Sequence, residues 1–150
     1  MSEVQIRRAT EADVPAIVAL LADDMLGATR ESPDDMTPYW PAFKAIDADP
    51  NQFLAVAERD GEVVGTMQLT YLPGLSRKGS TRSQIEAVRV RGTERGTGLG
   101  SKLMAWAIDQ ARQRGCSLVQ LTSDTARADA HRFYEQLGFT ASHLGFKLTL

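Results

Sequence analysis

One cysteine, two histidines and no long apolar run mark what this chain does without. Cys116 alone makes no internal disulfide and suits a reducing compartment. No stretch approaches the roughly 20 consecutive apolar residues that a helix needs to cross a bilayer. The N-terminal Met-Ser-Glu-Val-Gln lacks the charged-then-apolar pattern of a secretion signal. The expectation is a cytoplasmic protein with no membrane partner. His131 and His143 have no cysteine or carboxylate at convincing ligand spacing, which predicts no metal site. Repeats, linkers and low-complexity tracts are missing as well. What is present is 150 residues, 43% hydrophobic and 24% charged, which predicts one domain over residues 1–150 with a sizeable core.

Charge is nearly balanced overall but not along the chain. Residues 1–62 hold 13 acidic and 5 basic side chains, and residues 63–150 hold 6 acidic and 12 basic. A basic second half suits a polyanionic partner. The basic residues are spread over several elements without an aromatic-basic platform for stacking bases, so nucleic acid is not the expected partner. The acidic half is either a solvated face or a surface that favours an amine.

The basic half contains Arg95-Gly96-Thr97-Gly98-Leu99-Gly100. Ile85 to Val90, upstream, reads as a strand. Downstream, Leu99, Leu103, Ala107 and Ala111 recur every four residues, with Met104 and Ile108 beside them, which predicts an amphipathic helix. A glycine-rich turn between strand and helix permits positive φ and removes the Cβ that would block a ligand. The first N–H groups of the helix lack internal acceptors, and the helix dipole adds positive character, so the turn is a candidate phosphate or pyrophosphate site with Arg95 at its mouth. No Lys-Ser or Lys-Thr follows the last glycine, so it is not a nucleotide-triphosphate P-loop. Nor do Gly96, Gly98 and Gly100 have the spacing of the dinucleotide fingerprint.

In chain order, Val4 to Arg8 alternates as a short strand. Thr10 with Asp13 reads as a capped helix start, followed by the face Val14, Ile17, Val18, Leu21, Met25. A second helix is expected from Tyr39 to about Asp47, whose Tyr39, Trp40 and Phe43 form either a substrate-side lid or simply cover for the sheet. Phe53 to Glu58, Val63 to Leu72 and Arg82 to Val90 read as an antiparallel meander, with a hairpin turn at Asp60-Gly61. Gly65 suggests a bulge or a close approach. Ser117 to Thr122 is expected parallel to the strand before the glycine turn. Ser123, Asp124 and Thr125 are cap candidates for a last helix carrying Ala126, Ala130, Phe133 and Leu137 and ended by Gly138. Phe139 to Ser142 and Phe146 to Leu150 complete the reading as a final strand pair. The fold class is α/β with one mixed sheet, in the order βα(α)βββαβαββ.

That order and four local features resemble the GNAT superfamily of acetyl-coenzyme-A-dependent N-acetyltransferases. The features are Ile85-Glu86-Ala87-Val88-Arg89-Val90, the Arg-x-x-Gly-x-Gly of Arg95 to Gly100, the strand ending Leu121-Thr122-Ser123, and Phe133-Tyr134-Glu135-Gln136-Leu137-Gly138-Phe139. More locally, residues 100–107 and 127–134 are similar to the aminoalkylphosphonate N-acetyltransferases. The resemblance implies a single splayed mixed sheet with helices on both faces. It implies that acetyl-coenzyme A is co-substrate. The pyrophosphate would rest on Arg95, Gly96, Thr97, Gly98, Leu99, Gly100 and Ser101, and the pantetheine arm would pair with the backbone of Val88, Arg89 and Val90. Dimers are common in the family, and no interface is legible in this sequence.

Transfer of acetyl to an amine needs a base, because an alkylammonium has a pKa of about 10.4. Glu86 is the candidate; strand alternation puts it on one face with Val88 and Val90. It is otherwise a strand carboxylate paired with Arg82 or another neighbour. Tyr134, on the inward face of the last helix, is the candidate acid for the departing thiolate, and is otherwise a buried tyrosine. Arg127 stands where many family members have asparagine, and is expected to reach the pantetheine amides or an anionic substrate, or else to be solvated. An anionic acceptor would draw on Arg127, Arg132, Arg82 or Lys147. The expected acceptor is a small-molecule amine; a protein or peptide amine, or an acyl-coenzyme-A-binding module without turnover, are the alternatives. Trp106 and Cys116 read as packing residues.

Overall fold

The computed structural model describes residues 2–150. The described residues fall into two compact units, the first ending at Gln120 and the second running from Leu121 to Leu150. The first unit opens with strand β1 (Gln5–Arg8) and a single 3-10 turn, then helix α1 (Val14–Ala22), the short α2 (Gly27–Arg30) and α3 (Tyr39–Ala48). Strands β2 (Gln52–Arg59) and β3 (Glu62–Pro73) follow, then a helical turn α4 (Ser76–Gly79), strand β4 (Thr81–Val90) and helix α5 (Leu99–Gln113). Strand β5 (Leu118–Leu121) and helix α6 (Ala128–Gln136) complete the elements.

The expected first helix is capped as read. Thr10 N–H donates to Asp13 Oδ2 at 2.7 Å, and Arg7 grips both oxygens of that carboxylate at 2.7 and 3.0 Å. The hydrogen bonds from Arg7, with one from the Thr10 amide, hold the buried Asp13 carboxyl below the usual carboxylate range. Stability from such a group is present above the unfolded value of about 3.9 and is lost as pH falls through it. Asp13→Asn is therefore expected to cost about 2 kcal/mol at neutral pH and to flatten the loss of stability on acidification. Urea melts from pH 7 down to pH 3 check this; an unchanged acid slope contradicts it.

The sheet order is β1-β2-β3-β4-β5, with β1 to β4 antiparallel. The hairpin turn is the predicted one: Asp60 and Gly61 both take positive φ, 53° and 80°. Ser117 N–H donates to Thr81 O at 2.9 Å and Gln120 meets Gln84, so β5 runs parallel to β4. Leu54 and Val56 point to one face of the sheet. There they pack on Ile17 of α1, and on Val14, Val18 and Phe43, which join α1 to α3. Tyr39 and Trp40 pack against the same cluster, so the aromatic run covers the sheet. Phe53, on the other face, meets Trp106 of α5 with ring centroids 5.3 Å apart. A Cβ on Gly65 would come within 3.3 Å of Leu103 Cδ1, so this glycine lets α5 approach the strands. Leu103, Met104 and Ala107 are fully buried there. Burial of about 25 cal/mol per Å² over these side chains fixes the helix that the glycine turn begins.

Two expectations need correction. Met25 is not part of the α1 face: the helix ends at Ala22 and Met25 is 78% exposed. The final strand pair does not form; residues 139–150 carry neither helix nor strand, and Leu144, Phe146, Leu148 and Leu150 are exposed. Alternation alone does not make a strand, because each backbone N–H and C=O needs a neighbouring strand as partner. The single mixed α/β sheet with helices on both faces stands without that pair.

Candidate active site

Strand β4 is irregular where the motif predicted a plain strand. Ile85 pairs with Leu69 and Glu86 with Gln68, but Arg89 pairs with Thr66, so β4 has one residue more than β3 across this step. Ala87 takes φ of 54°, the left-handed region that an L-residue seldom adopts. This bulge corrects the expected facing. Glu86 shares a face with Arg89, and Val90, opposite Gly65, is on the α5 face. Alternation failed because the inserted residue reverses every side chain beyond it.

The bulge also marks where β4 loses its outer neighbour. β5 starts beside Thr81 and has four residues against ten in β4, so it runs along the first half only. Residues 86–90 keep β3 on one side and have no strand on the other among the described residues. Exposed backbone of this kind accepts an extended, amide-bearing ligand as an added strand. Val88, Arg89 and Val90 lie along this half-paired stretch and are half-buried. Arg89 forms an ion pair with Asp24 at 3.2 Å and donates to Val88 O at 2.9 Å, which ties the end of α1 to the bulge.

The glycine turn follows directly. Gly96 and Gly98 take φ of 78° and 85°, and a Cβ on either would meet nothing within 4 Å. The requirement for glycine is therefore conformational, and the space in front of the turn is open. Arg95 N–H donates to Gly92 O, and Thr97 gives both its N–H and its hydroxyl to Glu94 O, at 3.2 and 2.6 Å. Thr97 thus shapes the turn from within. Lys102 N–H closes onto Gly98 O at 3.0 Å, opening α5. Among the described residues no hydrogen bond uses the N–H groups of Gly96, Gly98, Leu99, Gly100 or Ser101. Five unclaimed amides in and before the first turn of a 15-residue helix form an arrangement that can accept an anion. Arg95 is exposed beside it.

Glu94 precedes these amides, and a carboxylate there would repel an anion. It is buried, and Arg59 of β2 neutralises it at 2.9 Å. Nothing in the motif signalled that pair, whose members are 35 positions apart.

Glu86 is exposed and accepts a hydrogen bond from Gln84 Nε2 at 2.8 Å, so its partner is an amide, not Arg82. In the second unit, Tyr134 is half-buried on α6, in edge contact with Phe133 and Phe139 at 5.3 and 6.1 Å. Gly138, at φ of 98°, ends α6 as expected, with Phe139 N–H donating to Tyr134 O at 3.1 Å. Arg127 is the N-cap of α6 and half-buried, so the helix begins later than the expected Ala126. Asp124 draws residues 124–127 into a turn instead, through Ala126 N–H to Oδ1 and Arg127 N–H to its carbonyl, both 2.9 Å. Cys116 is half-buried and burial pushes its thiol pKa up, which disfavours the thiolate and fits packing.

Residues 15–139 match the acetyltransferase (GNAT) family, and the chain belongs to it. It is an acyltransferase, and the family uses acetyl-coenzyme A as co-substrate. Over 150 residues it is 33% identical to the aminoalkylphosphonate N-acetyltransferase of Salmonella typhimurium, covering 100% of this chain and 94% of that one. A crystal structure from Bacillus halodurans, described as a transcriptional regulator, superposes with a TM-score of 0.94 at 49% identity, over 99% of this chain and 100% of that one. Glucosamine-6-phosphate N-acetyltransferase from Arabidopsis thaliana shares the fold at 20% identity, with a TM-score of 0.80 over 98% of both chains.

Proposed function

We propose that this acetyltransferase moves the acetyl group of acetyl-coenzyme A onto the primary amine of a small anionic molecule of the aminoalkylphosphonate kind. The observation that carries the reading is the continuity of two features: the half of β4 without an outer neighbour leads straight into five unclaimed amides. A diphosphate on those amides would direct an extended arm back along residues 88–90, toward the bulge. A backbone N–H there would polarise the thioester carbonyl. Glu86 takes a proton from the ammonium, and the freed nitrogen pair attacks the carbonyl carbon. The C–S bond breaks as the carbonyl re-forms, Tyr134 gives its proton to the departing thiolate, the second proton lost by the acetylated nitrogen returns through water to the phenolate, and Glu86 releases its proton to solvent.

The anionic acceptor is supported by the name of the Salmonella relative, and by a cation on the right face. Arg82 pairs across from Leu72, and so shares its sheet face with Glu86 opposite Gln68. A cation and a carboxylate on one strand face complement an acceptor with an anionic end and an ammonium.

Thiol release from acetyl-coenzyme A, measured against a panel of amines, tests the proposal. Aminomethylphosphonate is expected to stimulate release more than an uncharged alkylamine or a peptide N-terminus. A peptide working best would change the acceptor. Cofactor binding without release for any amine of the panel would contradict the proposal.

A further inference from the structure

The Glu86 carboxylate is one end of a chain of side-chain hydrogen bonds that crosses from β4 to β5 and back. Gln84 Nε2 donates to Glu86 Oε1 at 2.8 Å, Gln120 Nε2 donates to Gln84 Oε1 at 2.9 Å, and Arg82 Nη1 reaches Gln120 Oε1 at 3.5 Å. The direction of this chain is fixed by chemistry at both ends. A guanidinium can only donate, and an ionised carboxylate can only accept. Each amide in between must therefore turn its oxygen toward Arg82 and its nitrogen toward Glu86. Flipping either glutamine would place donor against donor, or oxygen against carboxylate. Gln84, Gln120 and Arg82 are half-buried while Glu86 is exposed, so the chain is shielded and its terminus is open. Its second oxygen, Oε2, takes no hydrogen bond among the described residues.

We infer that Gln84 and Gln120 are positioning residues: they hold Oε1 of Glu86 in one place and so leave Oε2 to take the proton from the amine. The inference rests on Glu86 being the base. A hydrogen bond to a charged group at a partly exposed site changes an equilibrium by about fivefold when it is removed. A chain that only stabilised the sheet would act on folding, and its effect would not depend on what residue 86 is.

The test is a double-mutant cycle in the full-length enzyme, with acetyl-coenzyme A and aminomethylphosphonate as substrates. Gln84→Met is expected to lower kcat about fivefold, with KM for acetyl-coenzyme A unchanged. In a Glu86→Gln background the same substitution is expected to cost nothing further, because the carboxylate it serves is gone. Gln120→Met, one link removed, is expected to show a smaller loss of the same kind, and carries the test if Gln84→Met fails to fold. Wild-type kcat in Gln84→Met overturns the inference while leaving Glu86 as base. An equal loss in both backgrounds overturns it too, showing a structural role. Wild-type turnover in Glu86→Gln alone overturns the base itself, and the chain's purpose with it.

Discussion

Glu86→Gln is expected to lower kcat by about two orders of magnitude and to leave affinity for acetyl-coenzyme A unchanged. The amide is nearly isosteric and still accepts from Gln84, so the strand face keeps its shape. What it cannot do is bind a proton from an ammonium of pKa about 10.4. The residual rate is expected to recover as pH rises, because solvent then supplies the free amine that the base otherwise generates. Tyr134→Phe is expected to lower kcat as well, without the recovery at high pH, since it serves the leaving group. Steady-state rates from pH 6.5 to 9.5 separate the two variants. Equal turnover in wild type and Glu86→Gln at pH 7 would remove Glu86 from the mechanism.

Gly98→Val is expected to raise the Kd for acetyl-coenzyme A between about tenfold and a hundredfold. Gly98 is at φ of 85°, where a β-branched residue is strained by about 1–3 kcal/mol. The valine turn relaxes away from that conformation, and binding must restore it before the amides of Gly98 to Ser101 converge. At about 1.4 kcal/mol per tenfold, the strain sets the size of the effect. A Cβ at this position meets no atom within 4 Å, so the expected loss of affinity is assigned to backbone geometry. Gly92→Ala, in the same loop but without positive φ, is the control and is expected to bind normally. Titration calorimetry on both variants checks this; equal affinities would mean that the turn conformation does not matter for the cofactor.

The parts of the site that depend on local backbone rules are legible in the sequence. Gly96, Gly98 and Gly138 are where positive φ is needed, and Asp60-Gly61 turns the hairpin. The four-residue spacing from Leu99 to Ala111 describes the buried face of α5, because helix periodicity is a property of neighbours in sequence. The parts that are not legible depend on distant partners. Ala87 carries no signal that its strand will bulge, and the bulge alone reverses the expected facing of Glu86 relative to Val90. Arg59 neutralises Glu94, Asp24 holds Arg89 and Gln120 meets Gln84 across gaps that only the sheet order closes. The alternating Phe146, Leu148 and Leu150 show the converse: a strand pattern without a pairing partner remains outside the sheet.

The proposed reaction requires the amides between Gly96 and Ser101 to hold a diphosphate. Calorimetric comparison of acetyl-coenzyme A with S-acetylpantetheine, which keeps the thioester and arm but lacks the diphosphate, tests that claim most directly. Saturable binding of the first, with affinity for the second weaker by at least about a hundredfold, is the predicted result. Equal affinities, or no saturable binding of acetyl-coenzyme A, would contradict it.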